Sequence, residues 1–141
     1  MFYFSKVYNY LTDFRGNFKK ALGAVFSPRS FKVYLILTLI FQALTWYIAY
    51  YIYRNLTGDL LILHYNVDFG TDLIGPPSRA FSGPLFGLLI FFVNSGLALF
   101  LRAKNTKQKL NFINHLLIAG AMVLNLFLLI SLFTIYLNNF R

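Results

Sequence analysis

The reading turns on residues 60–82, LLILHYNVDFGTDLIGPPSRAFS. Asp68 and Asp72 lie inside this stretch and Asp59 stands directly before it, so Asp13 is the one acidic residue found elsewhere. His64, one of the two histidines, is here as well. On both sides the chain runs apolar and almost uncharged for lengths that cross a bilayer. The contrast predicts an integral membrane protein whose polar groups gather in one loop outside the spans.

Composition supports that division. Only 12% of the 141 residues are charged, against 58% hydrophobic and 20% aromatic. Soluble domains carry about 25% charge, so this chain has too few charges to coat a globule in water. The expectation is one small membrane domain, 1–141, all-α, with helix packed on helix and helix against lipid. The net charge of +9 does not point to nucleic acid, because the basic residues cluster beside the spans, where anionic lipid headgroups attract them. Cysteine is absent, which excludes disulfides, thiolate metal sites and cysteine nucleophiles.

Within the loop, taken as 54–82, the residues alternate. Leu61, Leu63, Tyr65, Val67 and Phe69 fall on one side, and Ile62, His64, Asn66 and Asp68 on the other. A period of two predicts an extended, half-buried segment. A lone strand leaves backbone groups unpaired, so it must lie in wet interface, join another chain or fold back on itself. Gly70 ends the pattern, and Gly75-Pro76-Pro77 predicts a rigid turn before the next span. His64, Asn66 and Asp68 would share a polar face, with Asp72 curling back towards them. An imidazole beside carboxylates can hold a divalent cation, or serve as a base with its orienting acid. No spacing here matches a metal motif such as H-E-x-x-H. The plainer reading is a hydrogen-bonded cap, so no catalytic residue, metal or cofactor is assigned. The segment HYNVDFGTDLIG, with a basic amphipathic start and three spans, resembles a group of small bacterial three-span membrane proteins. That resemblance implies a bacterial inner membrane and brings no activity with it.

Three spans are expected. The first, 33–53, is uncharged, bracketed by Lys32 and Arg54, and at ~1.5 Å per residue covers the ~30 Å hydrocarbon layer. Trp46 and a run of tyrosines crowd its second half, where aromatic rings anchor at the interface. Gln42 in its middle is expected to bond a neighbouring helix. The second span, 83–101, opens with Pro84 in its first turn. Gly83, Gly87, Asn94 and Ala98 lie within about 60° on a helical wheel, marking a close-packing face. A short basic loop, 102–109, makes the second and third spans antiparallel neighbours. In the third, 110–137, Asn111, His115, Ile118, Ala119, Met122 and Asn125 share a sector of about 120°. Counting inward from the shared loop puts Asn94 level with Ala119-Gly120-Ala121, and Asn125 level with Gly87.

Residues 1–27 do not fit a cleavable signal peptide, because polar residues break any apolar core. They fit an amphipathic helix. Phe4, Val7, Tyr8, Leu11, Phe14, Phe18, Leu22 and Val25 form one stripe; Lys6, Asn9, Asp13, Asn17 and Lys20 lie opposite, with Arg15 and Lys19 at the edge. Such a helix lies in the membrane interface, or docks on a partner's soluble domain. Lys6, Arg15, Lys19, Lys20, Arg29 and Lys32 precede the first span, and Arg102, Lys104, Lys107 and Lys109 fill the second loop. Only Arg54, Arg79 and Arg141 lie on the other side. This bias predicts a cytoplasmic N-terminus and an exterior C-terminus, with the 54–82 loop exterior.

Three functions compete. The first is a non-catalytic subunit or assembly factor that docks on a protein partner. The second is an oligomeric transporter or channel with Gln42, Asn94 and Asn125 on its path. The third is a membrane-surface enzyme using His64, Asp68 and Asp72. No span carries a mid-membrane charge, which ion and proton pathways usually need, and no hydrolase or phosphate-loop motif is present. The subunit reading is preferred.

Overall fold

This computed structural model describes residues 2–66, 68, 70–104 and 110–140. Four helices and one hairpin follow in order: α1 Phe2–Phe26, α2 Arg29–Asn55, β1 Leu61–Asn66, β2 Gly70–Gly75, α3 Ser82–Lys104 and α4 Leu110–Asn139. A 3₁₀ turn, Pro77–Phe81, leads into α3. Pro28 separates the first two helices. Its backbone is extended, at φ −66° and ψ 136°, and its missing N–H and fixed φ suit the residue where a helix begins. α2, the 3₁₀ turn with α3, and α4 are each long and apolar enough to cross a membrane. They run slightly beyond the expected 33–53, 83–101 and 110–137, because the polar residues that flank each apolar run continue the helical turns.

α4 is the spine, packing along both α2 and α3, while α2 meets α3 over a shorter stretch. Two apolar clusters hold the ends. At one end Val25, Phe31, Ala98 and Ile118 join α1, α2, α3 and α4. At the other Ala49, Ile52 and Leu132 enclose Leu61 of the hairpin and Ala80 of the 3₁₀ turn. Between them the junction of the three spans is polar. The amide of Gln42 donates through Nε2 to the Pro84 carbonyl at 2.6 Å. Asn125 donates through Nδ2 to the Ala121 and Gly87 carbonyls at 2.9 and 3.4 Å. Thr38 and Thr45 are buried and turn their hydroxyls onto the Tyr34 and Phe41 carbonyls of their own helix.

The small-residue faces are realised in part. Gly87 and Ala98 are buried, and a Cβ on Gly87 would stand 2.5 Å from Asn125 Oδ1 and 2.6 Å from Gln42 Oε1. Asn125 therefore meets Gly87 as expected. Gly83 and Gly120 do not mark close approach, since a Cβ on either meets nothing within 4 Å. Asn94, Ala119 and Gly120 are half-buried rather than packed into a seam. On α4 the buried line runs through Asn114, Ile118, Ala121, Asn125 and Leu132, one position round from the expected sector. That sector was averaged over polar and small residues, and the two neighbouring helices pull the buried face between them. Met122 and His115 are half-buried at its border, His115 edge-on to Tyr34; the side chain of Asn111 lies outside the described residues.

Among its described side chains α1 buries Ala21 and Val25, in its last turns, and it lies mainly against α3. Val7 and Tyr8 stay 54% and 68% exposed, so most of the described apolar stripe faces away from the bundle. Lys6, Arg15, Lys19 and Lys20 are exposed as well. Trp46 is half-buried, its ring 5.8 Å from that of Phe81.

Candidate functional site at the hairpin end

The alternation in residues 61–69 produces a strand, and the strand resolves its unpaired edge by folding back. β1 and β2 pair antiparallel, with Leu61 opposite Gly75 and Asn66 opposite Gly70. Gly70 takes φ 77°, the left-handed region that glycine enters without steric penalty. Val67 and Phe69, between the strands, lie outside the described residues. The expected single extended loop is thus a hairpin, on an otherwise helical chain.

Its register is not uniform. Ile62 pairs Ile74, His64 pairs Leu73, and Tyr65 pairs Thr71. Leu63 is therefore an extra residue on β1 and Asp72 an extra residue on β2, two bulges that compensate one another. The bulges break the strict alternation. Leu61 is buried and Leu63 half-buried against the bundle, but Tyr65, expected on that same face, is 51% exposed.

The paired bulges bring His64 and Asp72 together across the strands, with Nδ1 of the ring 2.7 Å from Oδ1 of the carboxylate. A carboxylate accepts, so Nδ1 carries the proton, and on a neutral ring the Nε2 lone pair is free. Both side chains are well exposed, and such a pair contributes about 0–1 kcal/mol to stability. Its effect is orientation of the imidazole. Asp72 does curl back to His64. Asp68 is exposed in the turn, and the side chain of Asn66 lies outside the described residues. Among the described residues no three of His, Cys, Asp and Glu converge on a point that would hold a metal ion.

The residue that seats the hairpin is Asn139, which sequence reasoning overlooked. Its Oδ1 accepts from the Ile62 N–H at 2.9 Å, and its Nδ2 donates to the Ile62 carbonyl at 2.8 Å. One side-chain amide thereby copies the paired donor and acceptor of a neighbouring strand and closes the outer edge of β1. A terminal Asn after a long apolar helix is the only signal in the sequence, and it reads equally well as a plain helix end.

Two grooves flank this seat. One, about 210 Å³, lies between β1 and α4 and is lined by His64, Tyr65, Ser131, Thr134 and Asn138 among others. The second, about 180 Å³, lies between the start of α3 and α4, with Arg79, Ser82, Phe86 and Leu128 on its walls. Ser131 and Ile135 belong to both. A third hollow, about 280 Å³, is ringed by Tyr47, Tyr51, Phe133 and Tyr136. No family model, curated protein or solved structure matches the chain.

Proposed function

We propose that this protein is a non-catalytic subunit or assembly factor of a membrane complex, with its N-terminus cytoplasmic and the hairpin as its exterior docking surface. One observation carries the reading. Asn139 fixes the β1 edge to α4, while Thr71, Asp72, Leu73 and Ile74 of β2 are all exposed, Leu73 and Ile74 at 49% and 51%. A rigid strand with an open edge and uncovered apolar side chains is a template for strand addition by a partner. α1, with its basic residues and outward apolar stripe, lies in the cytoplasmic interface against anionic headgroups. Gln42 and Asn125 act as pins between helices, each bound to backbone carbonyls, which favours a packed bundle over an oligomeric transport path.

The test is purification of the full chain in mild detergent, alongside Leu73→Lys and Ile74→Lys. A stoichiometric partner retained by the wild type and lost from both variants, with unchanged melting, is the expected result. A homo-oligomer alone would move the reading to the oligomeric transporter.

The His64–Asp72 contact favours one second reading, an enzyme at the membrane surface using a free imidazole nitrogen. In that case His64→Ala and Asp72→Asn abolish the cellular phenotype while partner association and melting stay unchanged.

A further inference from the structure

The groove between the start of α3 and α4 combines three features that the docking reading leaves unused. The first is a positioned cation. The backbone of Arg79 is pinned on both sides, its N–H donating to the Pro76 carbonyl at 2.9 Å and its carbonyl accepting from Ser82 Oγ at 2.7 Å. Its stem lies over Gly75, where an added Cβ would come within 3.1 Å of Arg79 Cδ and 3.0 Å of Leu63 Cδ1. Among the described residues no carboxylate pairs with this guanidinium.

The second is an unused hydroxyl on the apolar helix α4. Ser131 is exposed, about 12 Å along α4 from Asn139, and among the described residues its hydroxyl has no hydrogen-bond partner. Thr134, one turn away, satisfies its own hydroxyl on the Ile130 carbonyl at 3.0 Å. An exposed hydroxyl beside the apolar walls of the groove keeps a donor open to a polar ligand group. The third is a gradient. Phe86 and Leu128 continue the same groove towards the middle of the spans, and Phe86 is 60% exposed. The groove is cationic and hydroxylic at its mouth and apolar below.

We propose that this groove binds a phospholipid of the leaflet on the hairpin side. The Arg79 guanidinium takes the phosphate, the Ser131 hydroxyl takes an ester carbonyl, and an acyl chain runs over Phe86 and Leu128. Arginine is suited to the first role because its planar fork donates two parallel hydrogen bonds to phosphate oxygens. The ordering of phosphate, ester and chain matches the ordering of side chains along the groove. The site rests only on α3 and α4 crossing a bilayer and stands or falls separately from partner docking.

The experiment uses the full chain in proteoliposomes with two photoactivatable probes of equal chain length: phosphatidylglycerol carrying a diazirine on its acyl chain, and the matching diacylglycerol without phosphate. Labelled peptides are located by mass spectrometry. The phosphatidylglycerol probe is expected to label the Phe86 and Leu128 peptides in the wild type. Arg79→Gln should cut that labelling about tenfold or more, the worth of one charged hydrogen bond. Arg79→Lys should retain an intermediate share, and Lys20→Gln, on α1, should change nothing at these peptides. Circular dichroism and thermal unfolding of Arg79→Gln establish that it folds; if it does not, Ser131→Ala, which removes only the hydroxyl, is expected to reduce labelling in its place. Equal labelling by the diacylglycerol probe overturns the proposal, as does undiminished labelling in both folded variants. Loss of wild-type labelling in excess inorganic phosphate also overturns it, since the site would then belong to the free anion.

Discussion

Gly87 is the residue on which the bundle closes. The nitrogen of Gln42 is held by the Pro84 carbonyl and that of Asn125 by the Ala121 carbonyl. Turning either amide over would set two carbonyl oxygens against each other at hydrogen-bond distance. Both amide oxygens therefore face Gly87, and both are buried without a conventional donor. The glycine hydrogen that occupies the Cβ direction is aimed at the pair, a weak Cα–H contact of the kind that recurs where helices approach closely. A methyl group in its place overlaps both oxygens. Gly87→Ala should cost about 1–3 kcal/mol, the usual range for overpacking, read as lower resistance to denaturing detergent. Gly120→Ala, where a Cβ meets nothing, should be neutral or gain up to about 1 kcal/mol from helix propensity. If the two variants melt alike, the close approach at Gly87 is not what holds the bundle. The wheel puts Gly83 and Gly87 on one face, yet a Cβ on Gly87 meets the amides of Asn125 and Gln42 and one on Gly83 meets nothing within 4 Å. Angular position is encoded in spacing, whereas the height at which two helices touch depends on how they cross.

At the scale of elements, the hairpin and α1 differ in how much of them the sequence displays. Alternation announced an extended segment and Gly70 announced its end. The return strand was hidden, because Thr71, Asp72, Leu73 and Ile74 carry no alternation of their own and the bulges at Leu63 and Asp72 disrupt the pairing. Its seat was hidden as well, since the amide of Asn139 reaches Ile62 across most of the chain. Asn139→Leu should strand the Ile62 backbone groups at a cost of about 1–3 kcal/mol. Amide exchange at Ile62 should then rise roughly tenfold to a hundredfold, with little change in α2 or α4. Exchange that stays at the wild-type rate would mean that the apolar seat of Leu61 suffices. α1 was legible in its amphipathic period but not in its neighbour. Val7 and Tyr8 remain outside the bundle, and on the interfacial reading lipid covers them. A peptide of residues 1–27 should gain helix by circular dichroism as anionic vesicles are added, and gain less in salt, which screens the attraction. A flat titration would return α1 to a partner's surface.

For the whole molecule, the decisive question is which side of the membrane each end occupies, because docking and lipid binding are both placed by it. The fold sorts the charges in a way the loop reading alone does not. α1 joins the bundle through Val25, beside Phe31, Ala98 and Ile118, so its lysines and arginines, Arg29, Lys32 and the end of α3 all belong to one end. The hairpin, with Asp59, Asp68 and Asp72, belongs to the other, along with Arg54 and Arg79. On the proposed orientation the basic end, α1 included, faces the cytoplasm as a unit, since basic residues are retained on that side. The chain lacks cysteine, so single cysteines report cleanly. Thr106→Cys, in the sequence between α3 and α4, should be shielded from an impermeant thiol reagent in intact cells and react only after permeabilisation. Asp59→Cys, exposed at the hairpin end, should react at once. The reverse pattern would put the hairpin in the cytoplasm, turn the open β2 edge towards cytoplasmic partners and move the Arg79 groove to the inner leaflet. A third cysteine at Lys19, on the exposed face of α1, completes the test. It should behave as Thr106→Cys does, because a helix packed at that end cannot lie on the opposite side of the bilayer.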